Sequence, residues 1–306
     1  MKRTDLKFFL GIVGLILTGC SKEPGNNSIT PTPPEPTPGP AQKMEIKINP
    51  SLSQTKATDY GFETGDCIGL YVVNYNGNTP GSLQNSGNHV DNMRHTYSGN
   101  WVPDNKIYWE DGKTHADIYM YYPYTTVSSV SAMPFSVKAD QSNEANYKAS
   151  DLMIGKTTNV APTESAVSIV AHHVMSRISI NIEAGNGFTS ESLAKADVSV
   201  KINGIRTGAS VNIANASVSV SGNPTSIIPY KSNGSYRALI VPQAVDNGNL
   251  ITVTVDGKDY NLKKGFTFEG GKNHNFTVTL SKTSTGVNVT IGAWDNDGTD
   301  NGGTAE

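Results

Sequence analysis

Ile178-Ser179-Ile180-Asn181-Ile182 and Val198-Ser199-Val200-Lys201-Ile202 place an apolar side chain at every second position, with Ser, Asn or Lys between. Successive side chains of a strand point to opposite faces, so each stretch reads as a strand with one packed side and one wet side. The same period recurs in Val218-Ser219-Val220, Ile251-Thr252-Val253-Thr254-Val255, Phe276-Thr277-Val278-Thr279-Leu280 and Val287-Asn288-Val289-Thr290-Ile291. Earlier in the chain Met44, Ile46 and Ile48 alternate, as do Ile68, Leu70 and Val72. From residue 43 onward no long stretch keeps a 3.6-residue rhythm, and residues 189–196 (TSESLAKA) are the one short helix expected. Asp256-Gly257, between Val255 and Tyr260, reads as a hairpin turn. Many short strands with regular turn signals predict an all-β fold of antiparallel β-sandwiches. The two halves repeat one plan. Each opens on an alternating strand (44–49 and 174–183) and closes on an apolar one (167–171 and 287–292), which sets a division near His172.

The N-terminus reads MKRTDLKFFLGIVGLILTGC: basic Lys2, Arg3 and Lys7, then an apolar run from Phe8 to Leu17, then Leu17-Thr18-Gly19-Cys20. That run suits a signal-peptide core and falls well short of the roughly twenty residues that a membrane-spanning helix needs. Leu-x-Gly-Cys resembles a bacterial lipobox, which implies that residues 1–20 are a lipoprotein signal and that Cys20 is acylated. Residues 21–42 hold Pro at many positions and almost nothing apolar, so they cannot bury a core and should form an extended spacer. A body tethered by lipid outside the cytoplasm is the expectation.

Net charge is −3, with 17% charged and 36% hydrophobic residues. No basic excess draws the chain to nucleic acid. With Cys20 taken by lipid, Cys67 is left without an intrachain partner and is expected to be a small buried hydrophobe in the run Cys67–Val73. Buried apolar surface, not crosslinks, must hold the fold.

Four segments in order carry a family resemblance. They are Phe62-Glu63-Thr64-Gly65-Asp66-Cys67-Ile68-Gly69-Leu70-Tyr71; Trp101 followed by Tyr108-Trp109 and then Ala116-Asp117-Ile118-Tyr119-Met120-Tyr121-Tyr122-Pro123-Tyr124; Asp151-Leu152-Met153 leading to His173-Val174-Met175-Ser176-Arg177-Ile178; and Gly271-Lys272-Asn273-His274-Asn275-Phe276 ending at Ile291-Gly292-Ala293-Trp294. Together they resemble the fimbrillin family, the type V pilus subunits of Bacteroidetes, over about residues 44–294. Ser21-Lys22-Glu23 also resembles a surface-export signal of Bacteroidetes lipoproteins. On physical grounds Gly65-Asp66 is a turn into a buried strand, and Trp109, Tyr121, Pro123, His173 and Trp294 are scaffold positions, with Trp294 expected to plug the end of the second sandwich.

The resemblance implies two transthyretin-like sandwich domains in tandem, here residues 43–172 and 173–298, followed by an acidic tail, 299–306. It also implies assembly by strand exchange, in which a trypsin-like protease removes the first strand and a neighbouring subunit fills the vacated groove. The exchangeable strand would be Met44–Leu52, with Met44, Ile46 and Ile48 as its groove-filling row, and the cut would fall between Lys56 and Ala57. The partners implied are other fimbrial subunits, outer-membrane lipid through Cys20, the protease, and a host or bacterial surface receptor. After Trp294 the tail DNDGTDNGGTAE offers no alternating apolar row, so it is not expected to donate. A tip or accessory subunit follows, unless the donor is an earlier segment such as Val287–Ile291.

No H-E-x-x-H, paired Cys/His spacing, G-x-S-x-G or phosphate-binding glycine pattern is present, so no catalytic residue, metal or cofactor is expected. Asp295, Asp297 and Asp300 lack an EF-hand context, and His172 and His173, adjacent on a strand, face opposite sides. The alternative to a pilus subunit is a solitary surface-anchored, glycan-binding adhesin. Residues 74–109 are rich in Asn, Gly, Ser and aromatics, and rings exposed there would stack on sugars.

Overall fold

The computed structural model describes residues 43–53, 61–282 and the backbone of 303–305. Nearly all regular structure among them is strand. In the first half lie β1 (Ile48–Leu52), β2 (Cys67–Asn74), β3 (Val90–Tyr97), β4 (Trp101–Pro103), β5 (Ala116–Tyr122), β6 (Met133–Ser136), α1 (Glu144–Ala149), β7 (Met153–Val160) and β8 (Val167–His173). The second half holds β9 (Ser176–Ala184), α2 (Ser190–Lys195), β10 (Val198–Val211), β11 (Val218–Ile227), β12 (Tyr230–Ser232), β13 (Ser235–Ile240), β14 (Gln243–Val255), β15 (Lys258–Phe268), β16 (Asn273–Leu280) and β17 (Gly303–Ala305).

Three sheets result. One has the order β1-β8-β7-β5-β2-β3-β4; a second runs β11-β10-β14-β15, with β6 also on β10; the third runs β12-β13-β9-β16-β17. The all-β reading holds, with one correction to purely antiparallel sheets. The pairs β1/β8, β9/β16 and β16/β17 are parallel, because each joins strands remote in sequence rather than across a tight turn. The tail expected to be only a solvated acidic segment supplies β17.

The seven-stranded sheet buries both faces. On β2 and β5, Ile68, Leu70, Val72, Ile118 and Met120 enter one cluster, while Tyr71, Val73, Tyr119 and Tyr121 enter another. The first cluster is enclosed because the sheet rolls until its edge strands, β1 and β4, touch. The second cluster is continuous with the apolar interior between the other two sheets, including Ile178, Ile202 and Phe276. Strand β6 ties the halves further, pairing Met133–Ser136 with Val211–Gly208 of β10.

Local signals act as expected in several places. Asp256 and Gly257 adopt φ of 48° and 81° and join β14 to β15 in a two-residue turn. Helix α2 is capped by Thr189, whose side chain accepts from Ser192 N–H at 3.1 Å. Helix α1 has no counterpart in the sequence reading; it is six residues long and is capped by Asn143, whose side-chain Oδ1 accepts from Asn146 N–H at 2.9 Å. Cys67 is only half-buried, because it opens β2 beside Thr96 rather than lying in its middle.

At Gly69 the Tyr121 ring and the Asn92 side chain occupy the space that a Cβ would need, whereas Gly61 faces open space. Gly69→Ala should therefore lower stability by about 1–3 kcal/mol, the usual cost of overpacking, and lower the melting temperature, with Gly61→Ala as a neutral control. Equal melting of the two variants would show that the Tyr121 ring is not fixed against this strand.

Candidate functional site

The segment Met44–Leu52 alternates inward and outward along its length. Ile46 is 2% and Ile48 7% exposed, Pro50 is buried, and Met44 and Leu52 are half-buried at the two ends. Complete burial of an aliphatic side chain contributes about 1.5–3 kcal/mol, so this row is the main hold on the segment. Its inner side meets Val167, Ile169 and Ala171 of β8, Met120 of β5, and Trp109.

Two different backbones bind it. Residues Ile48–Leu52 run parallel to Val167–Ala171, flanked by bonds from Val167 N–H to the Lys47 carbonyl at 2.8 Å and from Ser53 N–H to the Ala171 carbonyl at 2.9 Å. The preceding turn of chain pairs instead with the loop before β5. Ile46 N–H donates to the Ile107 carbonyl, and Trp109 N–H to the Met44 carbonyl, both at 2.9 Å. Pro50 fits because β1 is an edge strand, where one missing N–H leaves no ladder partner unsatisfied. Lys106 Nζ lies 3.1 Å from Glu45, which raises the affinity of the amine for its proton, but the pair is exposed and holds little.

The 107–109 loop is fixed in turn. The Trp109 ring is 3% exposed and its Nε1–H donates to the Thr163 carbonyl at 3.1 Å, while His89 Nε2 sits 2.6 Å from the Tyr108 carbonyl and Nδ1 3.0 Å from Glu110. This wall of the groove was not legible, because Ile107-Tyr108-Trp109 shows no period and forms only one isolated bridge, Tyr108 with Glu45.

Past residues 54–60, the chain re-enters at Phe62, whose ring meets Trp101 edge-on at 4.9 Å between centroids and Tyr122 at 6.0 Å. Gly65 has φ of 101°, a value that favours glycine, and the turn is closed by Glu63 N–H to Asp66 Oδ2 at 2.7 Å. Asp66 Oδ1 also accepts from the Tyr122 hydroxyl at 3.1 Å; burial and that carboxylate push the phenol pKa up. Glu63 adds an ion pair with Lys148 of α1 at 2.8 Å. Tyr121 is fully buried and donates to the Thr125 carbonyl at 2.6 Å, just past the cis Tyr122–Pro123 bond. His173 Nδ1 lies 2.8 Å from Asp151, tying the end of β8 to the start of β7.

Thus Met44, Ile46 and Ile48 come together with Trp109 in one groove, Gly65, Asp66 and Phe62 form a staple beside it, and Tyr121, Pro123 and His173 lie in the framework. Cys20, Lys56, Ala57 and Trp294 lie outside the described residues. The rings within 74–109 are buried or half-buried. Trp109 is buried, and Trp101 packs half-buried on Phe62 and, at 5.1 Å, on Tyr97. Among the described residues no group of three His, Cys, Asp or Glu side chains is placed to hold a metal ion.

These features define the class: an all-β structural scaffold in which Met44–Leu52 covers an apolar groove along the edge of one sheet. The chain belongs to the fimbrillin-like family, whose model matches residues 55–294. That family is one of structural fimbrial and adhesion proteins, not enzymes. It is 26% identical, over 92% of its length and 91% of the other, to a candidate fimbrium subunit, Fim1C, of Bacteroides uniformis. The same fold occurs in a candidate cell adhesion protein of Bacteroides uniformis (22% identical, TM-score 0.60, 78% of this chain and 93% of that one). A candidate cell adhesion protein of Bacteroides ovatus shares it too (18% identical, TM-score 0.63, covering 78% and 92%).

Two outcomes follow. Ile46→Ala with Ile48→Ala should speed amide exchange across 44–52 and 107–109 while β9 and β16 stay protected, each truncation costing about 2–5 kcal/mol; uniform acceleration over the whole chain would contradict a separable lid. His95, directly across from Ile68, is 1% exposed, its Nε2 has no partner among the described residues, and burial lowers its pKa. The unfolded chain therefore takes up this proton first, and stability is lost as pH falls below the ordinary histidine range of about 6.5. His95→Gln should flatten that part of a stability-against-pH curve; an unchanged slope would remove His95 as its source.

Proposed function

We propose that this chain is a subunit of a cell-surface adhesive fibre, assembled when Met44–Leu52 is cut away and a strand from a neighbouring subunit takes its place. The observation that carries the reading is the buried Ile46, Ile48 and Pro50 row, whose strand portion, Ile48–Leu52, is an edge paired among the described residues with β8, more than a hundred residues away. Such a strand can leave without unthreading any other part of the fold. Departure exposes the β8 edge and an empty apolar row, and adding a strand from another chain satisfies both.

In this reading Cys20 carries lipid in the outer membrane, residues 21–42 space the body from it, and a trypsin-like protease cuts between Lys56 and Ala57. The body divides into sandwich domains 43–172 and 173–298, a division supported by the change of sheet between His173 and Ser176. The subunit is a tip or accessory one. Its C-terminal residues lack a groove-filling row, and Gly303–Ala305 pair within the subunit, against Val278–Leu280. Family membership and the likeness to a candidate fimbrium subunit support a surface fibre.

Limited trypsin digestion of the purified protein, with N-terminal sequencing and SDS gels of unheated samples, tests this. The expected product begins at Ala57 and forms an SDS-resistant ladder, and Lys56→Ala abolishes both. A folded monomer that keeps residues 44–52 after full cutting at Lys56 would overturn strand exchange, and a ladder of unchanged yield from Lys56→Ala would overturn the cut site.

A further inference from the structure

The second sheet contains a fork. Strands β10 and β14 pair from Val198/Val255 to Ile202/Ile251 and then part, β10 continuing to Gly208–Val211 beside β6. Side-chain amides replace the ladder at both ends of the gap. Asn203 Nδ2 donates to the Asn249 carbonyl at 3.0 Å and to Thr252 Oγ1 at 2.9 Å, and its Oδ1 accepts from Ser226 at 2.8 Å. At the far end Gln243, 6% exposed, accepts from Arg206 N–H at 3.0 Å and donates to the Arg206 and Val241 carbonyls at 2.8 and 2.9 Å.

The outer ladders of both strands, β10 with β11 and β14 with β15, lose their register alongside the gap. The shifts fall between Ile202 and Ile205 and between Arg206 and Gly208 on β10, and between Val245 and Gly248 and between Asn249 and Ile251 on β14. Such shifts re-aim side chains and surrender ladder hydrogen bonds. What they enclose is an open depression of about 590 Å³. Gly204, Gly222 and Gly248 leave room in it, and Pro224 and Val245 supply apolar surface.

Arg206, half-buried, and Asp246 and Asn249, both exposed, line the depression, and their side chains make no hydrogen bond or ion pair among the described residues, so their polar groups are open to solvent or to a ligand. We propose that this fork is a binding subsite for a neutral saccharide. A sugar hydroxyl both donates and accepts. The carboxylate takes its proton, the guanidinium donates to its oxygen, the amide does either, and the C–H face of the ring rests on Pro224 and Val245. The opposite charges of Arg206 and Asp246 cancel, which suits an uncharged ligand over an anionic one. A volume of this size lies in the range of small-ligand pockets, ~300–1,000 Å³. The inference stands apart from strand exchange, since the fork lies wholly in the second half of the chain.

Saturation-transfer NMR on the full chain tests it with galactose, mannose, N-acetylglucosamine and N-acetylneuraminic acid as probes. A neutral sugar should receive saturation from the protein, and Arg206→Ala and Asp246→Asn should each weaken its binding at least tenfold without changing the melting temperature. Gly248→Val gives an independent check. A Cβ there meets nothing closer than 3.9 Å, so the protein should fold while the new side chain fills the depression and blocks the sugar. Transfer to none of the probes, transfer only to N-acetylneuraminic acid, or transfer that survives all three substitutions would overturn the proposal.

Discussion

The structure depends on the closure of one sheet edge by a strand from the beginning of the folded body. Without Met44–Leu52, the outer side of β8 would present unpaired N–H and C=O groups, and the apolar interior around Ile118, Met120 and Ile169 would lose its cover. Both are unfavourable in water, one through unsatisfied hydrogen-bonding groups and the other through exposed apolar area. The covering strand answers them together, with main-chain bonds on its edge and a row of side chains on its inner face. Because the cover is an edge, its removal leaves the rest of the connectivity intact.

The face of the rolled sheet opposite the interior that Met44–Leu52 covers is fixed against the second half of the chain. Tyr71, Tyr119 and Tyr121 pack into the interior shared with the second half, and the buried Tyr71 hydroxyl, pushed up to about 12 by desolvation first and by Asp91 second, stays neutral. Asp117, 3% exposed on that face, is satisfied by the Tyr75 hydroxyl at 3.0 Å, Asn159 N–H at 2.9 Å and Lys156 at 3.3 Å. Such a framework fixes, from behind, the strands that form the groove. Its occupant, Met44–Leu52, runs parallel to β8 over Ile48–Leu52 and carries apolar groups at the alternate positions 44, 46, 48, 50 and 52.

The second half was the more legible in sequence. Ile178–Ile182, Ile251–Val255 and Phe276–Leu280 alternate apolar with polar residues even where, as at Ser179, the polar one is also buried, and Asp256-Gly257 names its own turn. In β2 and β5 both faces are buried, which replaces alternation with continuous apolar runs and hides which side faces which cluster. The lid residues Met44, Ile46 and Ile48 could be read because one side of β1 meets water. Their partners could not, since parallel pairing with β8 and the unpatterned 107–109 loop join segments far apart in the chain. The fork was hidden for a related reason. Asn203 and Gln243 act there as substitute backbone, a role that composition does not mark.

The most direct measurement is the binding of a labelled synthetic peptide, residues 44–52, to protein that has been cut between Lys56 and Ala57 and stripped of its own segment under mild denaturant. The account predicts saturable one-to-one binding that is absent from the uncut protein and is lost when Ile46 and Ile48 of the peptide are replaced by Asp. Equal binding to cut and uncut protein, or cut protein that unfolds irreversibly once the segment departs, would contradict a preformed groove with an exchangeable occupant.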